Sequence, residues 1–254
     1  MKIYQGYKSN VMLSFEFMQI HKLRPYDNIN EPLVVFGCYT VSDVMLIMEH
    51  QSTVVIQWEG LDSKKHQNLS IFKKDNIINV SPHRNICAYF KTKGLECQEI
   101  KWAINETIAP QKLGEQIYTY IHKDAQLYYG SGIINQIKTK YSFLIGNYTI
   151  PQEQFRGAIR NSFYSKVFVG IQACDYAGGG MGIVELGLRG IKVITNILDL
   201  PHTISFKTLN DIEEAINKEA EKIGTVNSKL AQDVYGAVLC SEKIICYNLK
   251  QLIK

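Results

Sequence analysis

Four glycines, Gly178, Gly179, Gly180 and Gly182, stand just ahead of Glu185 in this chain. Glycine lets backbone come close to a ligand, and the free N–H groups and dipole at a helix N-terminus favour an anion, so this turn suits a diphosphate. Glu185 is expected in the first turns of the following helix, where its carboxylate could accept from a ribose diol or simply complement the helix dipole. The spacing is not the dinucleotide fingerprint. G-x-G-x-x-G counted from Gly178 needs glycine where Ile183 stands, and no lysine and hydroxyl pair of the P-loop kind follows.

Other residues could serve the same chemistry. Tyr128-Tyr129-Gly130-Ser131-Gly132 is a second glycine-bearing loop whose N–H groups could meet phosphate, or an ordinary turn. Asn147 and Tyr148 follow an apolar run and could contact a nucleotide base. Arg156 and Arg160 lie four apart, on one helical face, where a guanidinium would neutralise a departing diphosphate. No Asp-x-Asp occurs, so no divalent-cation site is expected. A base for an acceptor hydroxyl is sought in Trp58-Glu59-Gly60-Leu61-Asp62, which offers two carboxylates beside an aromatic ring on which a sugar could stack. His83, after Ser81-Pro82, is the other candidate because imidazole titrates near neutrality.

These residues need strands and helices to hold them. Leu33 to Phe36, Thr53 to Trp58 and Asn76 to Val80 read as short buried strands. Helices are expected between them, one capped by Ser42 and one opened by Ser81-Pro82 and stopped by Gly94. Gln98 to Ala103 reads as a fourth strand and Ile104 to Gly114 as a linker. A second alternation follows: strands at Gln116 to Ile121, Tyr141 to Ile145, Val167 to Ile171 and Lys192 to Thr195. Helices are expected within Gly130 to Lys140, Gln152 to Ser165, Ile183 to Arg189 and Asp211 to Ile223, with a closing one from Ser241 to Lys254. Strands alternating with helices imply parallel sheets, so chemistry is expected in the loops beyond the carboxyl ends of the strands.

Composition narrows the class. With 46% hydrophobic and 20% charged residues in 254, the chain reads as globular. The net charge of +4 is spread without a Lys/Arg block, so no nucleic-acid partner is expected. No apolar run reaches the roughly 20 residues of a membrane span, and no secretory signal is read, which suggests a cytoplasmic protein. Six scattered cysteines without C-x-x-C read as reduced thiols.

The run from Tyr164 to Asn196 resembles the donor-binding half of glycosyltransferases of the GT-B fold, and Lys112 to Gly224 resembles it in the order of elements. It is also similar to compact glycosyltransferases of large DNA viruses and bacterial surface-glycan clusters. The resemblance implies an α/β protein of two Rossmann-like domains facing each other across a cleft: residues 1–107 on the acceptor side, 108–240 holding the nucleotide-sugar, 241–254 as a closing helix. It implies a metal-independent hexosyl or pentosyl transferase acting on a glycan or lipid-linked glycan, with the donor as substrate and no cofactor. Gly178, Gly179 and Gly180 match the family's phosphate-facing turn and Glu185 its ribose-binding glutamate. The position eight before Glu185, often a second glutamate in retaining members, is Ala177, with Asp175 nearby as a contact for the sugar hydroxyls. A nucleotide-sugar epimerase or hydrolase, or a non-catalytic binding protein, are the alternatives.

Overall fold

The computed structural model describes residues 2–5, 23–60, 62–66, 68–100, 108–121, 126–127, 129–146, 157–174, 180–197 and 200–238. The chain divides into two compact units, the described residues of one ending at Ile100 and those of the other beginning at Ile108.

The first unit holds β1 (Lys2–Gln5), β2 (Arg24–Pro25), β3 (Leu33–Phe36), β4 (Val54–Gln57), β5 (Ile77–Ser81) and β6 (Gln98–Glu99). All pair in parallel, in the order β2-β1-β3-β4-β5-β6. Every residue of β3 and β4 is buried, which is why Leu-Val-Val-Phe and Val-Val-Ile are unbroken apolar runs: a parallel sheet is covered on both faces. The connections include α1 (Val41–Glu49), the single turn α2 (Asp62–Lys65), a 3-10 turn at Leu69–Phe72, and α3 (Arg84–Thr92).

The second unit repeats the plan. Strands β7 (Gln116–Tyr120), β8 (Phe143–Gly146), β9 (Val167–Gln172), β10 (Lys192–Thr195) and β11 (Thr203–Ile204) are parallel, ordered β11-β10-β9-β7-β8. Helices α4 (Ser131–Ile137), α5 (Gly157–Tyr164), α6 (Gly180–Leu188), α7 (Leu209–Ala220) and α8 (Ser228–Val238) connect and follow them. In both sheets the chain reverses direction beside the first strand. The switch points therefore fall between β1 and β3, and between β7 and β9.

Several local expectations are corrected. Helix α1 is capped by Thr40 rather than Ser42, because Thr40 and Asp43 form a reciprocal capping box. Ser81 closes β5 instead of capping α3: its hydroxyl donates to the Trp58 carbonyl (2.9 Å) and accepts the His83 N–H (3.1 Å), leaving His83 at the cap. Helix α6 starts at Gly180, three residues before Ile183, so Gly180 and Gly182 are helical. The end of the expected linker is built into the second unit, where the Leu113 N–H donates to Thr225 and the Gly114 N–H to Val167. Of the strand expected from Gln98, Gln98–Glu99 is observed, Ile100 is not part of it, and residues 101–103 lie outside the described residues, as does the closing helix from Ser241. Strands β1, β2 and β11 and helix α8 were not expected. Three of these are too short or too polar to show a period, and α8 is a half-exposed amphipathic helix.

Glycines set how closely α6 lies on its sheet. A Cβ at Gly170 of β9 would sit 2.7 Å from Leu186 Cδ1, and one at Gly187 would sit 2.6 Å from the His202 ring, whose Nε2 bonds to the Ile183 carbonyl (2.8 Å). Neither neighbour has room to withdraw, since Leu186 and His202 are both buried. Gly187→Ala is expected to destabilise the chain by about 1–3 kcal/mol through overpacking, measured by urea unfolding; an unchanged midpoint would refute this account of the packing.

Candidate functional site

At the switch point of the second sheet the exits of β7 and β9 touch. Gly130, at φ +75°, precedes α4, and a Cβ there would lie 2.2 Å from the Ala173 carbonyl oxygen, just past the end of β9. Glycine at 130 is thus required by backbone geometry and by this approach, whatever else its N–H group does. Thr119, next to last in β7, is fully buried, and its hydroxyl has no hydrogen-bond partner among the described residues. Gln172 ends β9 and is also buried, its Nε2 3.8 Å from the Cys174 sulfur.

Helix α6 begins just beyond these strand ends. Glu185 is 6% exposed, and its charge acts on the hydroxyls of Tyr118 and Tyr164. Those hydroxyls lie against the first turn of α6, 3.8 and 3.9 Å from where a Gly182 Cβ would be. Burial pushes both well above the ordinary tyrosine value and the Glu185 carboxylate adds to it, while the Tyr164 hydroxyl donates to Tyr118. Arg189 closes the group: Nη1 donates to the Glu185 carbonyl (2.9 Å), Nη2 to Asn161 Oδ1 (2.6 Å), and the guanidinium lies 4.7 Å over the Tyr164 ring. Arg189 is thus tied to the Glu185 backbone one helical turn away, with Glu185 the sixth residue of α6 rather than in its first turn. Of the other residues expected to hold the donor, Gly180 is the first of α6, while Asp175, Gly178, Gly179, Asn147, Tyr148 and Arg156 lie outside the described residues.

In the first unit the exits of β3 and β4 are tied together by Asp62. Its fully buried carboxylate accepts from the N–H groups of Cys38 (3.1 Å), Glu59 (3.2 Å), Gly60 (2.8 Å) and Ser63 (3.0 Å). Burial raises its pKa to about 6, and these four donors oppose the rise. With its lone pairs committed to backbone, Asp62 organises the loop. Glu59 is half-buried; Gln57 Nε2 donates to its Oε1 (2.8 Å), and its pKa is pushed up to about 8, first by burial and then by the Asp62 charge. The buried imidazole of His83, hydrogen-bonded to the Glu59 backbone, is pushed down to about 4 by burial. At neutral pH Glu59 therefore keeps its proton and His83 is uncharged.

Trp58 offers no stacking surface, contrary to expectation. Its indole is fully buried, edge-on to Phe72 and Phe90, with Nε1 donating to Asn79 (3.0 Å). Gln57, Thr119 and Gln172 were missed in the sequence. Each is a polar residue at the carboxyl end of an apolar strand, and that position was the available signal.

No protein-family model and no curated protein sequence matches the chain. Solved structures do. Sucrose-phosphate synthase from Thermosynechococcus elongatus is 13% identical, with a TM-score of 0.57, over 87% of this chain and 72% of its own. TarM is 11% identical at a TM-score of 0.56, over 89% of this chain and 56% of its own. The pneumococcal O-GlcNAc transferase GtfA, solved with UDP and GlcNAc, is 12% identical at 0.51, over 95% of this chain and 59% of its own. The fold is GT-B. Within it the chain spans little more than half the length of TarM or GtfA. No described helix is long and apolar enough to cross a membrane.

The titrating groups of this GT-B chain make pH a test of the first-unit site. A carboxyl raised by folding favours the native state while protonated and opposes it progressively from its ordinary to its folded value; a lowered imidazole does the reverse. Asp62 acts between 3.8 and about 6, and His83 and His202 between 6.5 and about 4. Glu59 acts from 4.5 to about 8, so of these four groups it alone still titrates above pH 6.5. Stability is expected to fall between pH 6.5 and 8 with a slope of at most one proton, about 1.4 kcal/mol per pH unit, and Glu59→Gln should flatten it in urea unfolding. A slope that survives the substitution places the titrating group elsewhere.

Proposed function

We propose that the chain is a glycosyltransferase that moves a sugar from a nucleoside-diphosphate donor to a hydroxyl of a glycan or glycoconjugate. The observation that carries this is the second sheet's switch point, where Gly130 meets the Ala173 carbonyl beside the start of the helix bearing Glu185. Such crevices bind ligands in open parallel sheets, and a helix start supplies N–H groups and positive potential to a diphosphate. The GT-B fold, and the UDP bound to GtfA, favour a nucleotide-sugar among anionic ligands.

In this reading the turn at Gly178, Gly179 and Gly180 meets the diphosphate and Glu185 the ribose hydroxyls. Asn147 and Tyr148 meet the base, Arg156 the leaving-group charge, and Asp175 the transferred sugar. The charge of the departing diphosphate would be met by N–H groups and guanidinium without a metal ion, consistent with the lack of an Asp-x-Asp pair.

Deprotonation of the acceptor falls to the first unit. Asp62 is committed to backbone donors, leaving Glu59 and His83. A base works best with a pKa near the working pH, which favours Glu59 at about 8 over His83 at about 4.

Thermal shift against a panel of nucleotide-sugars should find one donor class that raises the unfolding midpoint, since a ligand bound to the native state stabilises it by mass action. Glu185→Gln, which keeps the side-chain shape beside Tyr118 and Tyr164, should weaken that donor at least about tenfold, the equivalent of one lost hydrogen bond. Equal affinity in the variant would remove Glu185 from the site. With an acceptor, kcat/KM should climb with pH and level off only above about 8 if Glu59 is the base. A profile flat from pH 5 upward would exclude Glu59.

A further inference from the structure

Behind the β5 exit lies a pair of thiols that the proposed transfer does not use. Cys87 is in the first half of α3 and Cys97 directly precedes the edge strand β6, and their sulfurs are 2.9 Å apart. Both are half-buried, whereas Cys38 and Cys174 are buried, so among the described cysteines these two combine mutual contact with access to solvent. The turn at Gly94, at φ +67°, folds the chain back after α3 and brings Cys97 alongside the helix. We infer that Cys87 and Cys97 are a thiol-disulfide site, oxidised to an intramolecular disulfide by low-molecular-weight disulfides.

The surroundings assign each sulfur a part. The hydrogen bond shared with Cys97 and one from the Ser81 backbone hold the Cys87 thiol below its ordinary value, against burial and the nearby Glu99 charge. The Cys97 thiol is held above its own by the same hydrogen bond and by burial. Cys87 is then the attacking thiolate and Cys97 the resolving thiol.

With glutathione disulfide, the Cys87 thiolate attacks one sulfur, forming a mixed disulfide and breaking the glutathione S–S bond, with one glutathione thiolate leaving. Cys97 loses its proton to solvent, attacks the Cys87 sulfur, and expels the second glutathione thiolate. The protein dithiol is oxidised by two electrons, and one glutathione disulfide is reduced to two glutathione thiols. Closing the sulfurs from 2.9 Å to about 2.05 Å requires less than an ångström of movement. The bond would fasten α3 to the sheet edge one helical turn from His83, whose carbonyl accepts the Cys87 N–H at 3.3 Å.

The full-length chain, reduced and then incubated with glutathione disulfide, should lose the mass of two hydrogens without gaining glutathione. Trypsin should release the 85–91 peptide joined to the 94–101 peptide, since Lys91 and Lys93 separate the two cysteines. Cys97→Ser should instead stop at a stable glutathione adduct on Cys87. The inference is overturned if the unsubstituted chain keeps both thiols alkylatable, carries only glutathione adducts, or joins either cysteine to a different one.

Discussion

The Gly130 backbone comes so close to the Ala173 carbonyl that no side chain fits between them, and the candidate donor site depends on that contact. Beta-7 and β9 are adjacent and parallel, and their connections leave in opposite directions, which opens a crevice between the two exits. Left-handed backbone at Gly130 opens α4 against the Ala173 carbonyl, and Gly170 lets Leu186 of α6 lie directly on β9. Glycine here does the work of positioning by omission. A ligand could approach because the chain carries no side chains where backbone must meet backbone.

The first unit solves a related problem with charge. The loops after β3 and β4 bring several N–H groups together with no strand partner, and the Asp62 carboxylate satisfies four of them at once. A buried carboxylate is costly unless so compensated, and here the compensation also crowds Glu59. The loss of water first, and then the Asp62 charge, raise the Glu59 pKa to about 8. The same loop geometry takes His83 out of water and makes it a neutral hydrogen-bond donor to the Glu59 backbone. A structural carboxylate thus tunes a neighbouring one, a more economical route to a titrating group near pH 8 than an isolated acid in an apolar pocket.

Sequence reading reached the architecture because its signal is additive. Leu33 to Phe36 and Val167 to Ile171 are apolar without interruption, and only a strand covered on both faces demands that. Local rules decided less well where two of them competed. Ser42 is a good cap residue, but Thr40 is followed at the right spacing by Asp43 and wins by satisfying donors in both directions. Trp58 reads as a sugar platform because aromatic residues beside carboxylates often are, but it directly follows an all-buried strand and its indole stays in the core. Arg189 and the tyrosine pair were illegible for another reason. Nothing in the order of residues says that Asn161 and Tyr164 of α5 meet the Arg189 guanidinium at the end of α6 with Tyr118 of β7 against Tyr164, since the three elements are joined only by packing.

One regularity joins the two units and was available from the start. Beta-4 and β9 each end an apolar run with a buried glutamine, Gln57 and Gln172, and β7 carries the buried Thr119 at the corresponding end. A polar side chain loses hydration energy on burial, so its retention at the carboxyl end of a strand needs a compensating partner. For the Gln57 Oε1 and the Thr119 hydroxyl no described group supplies one. Both atoms are sealed from solvent near the carboxyl ends of their strands, Gln57 two residues before Glu59 in the first unit and Thr119 next to last in β7 of the second. Each unit thus carries the cost of a buried polar atom near the end of a strand, a cost that an apolar side chain of similar size would not carry.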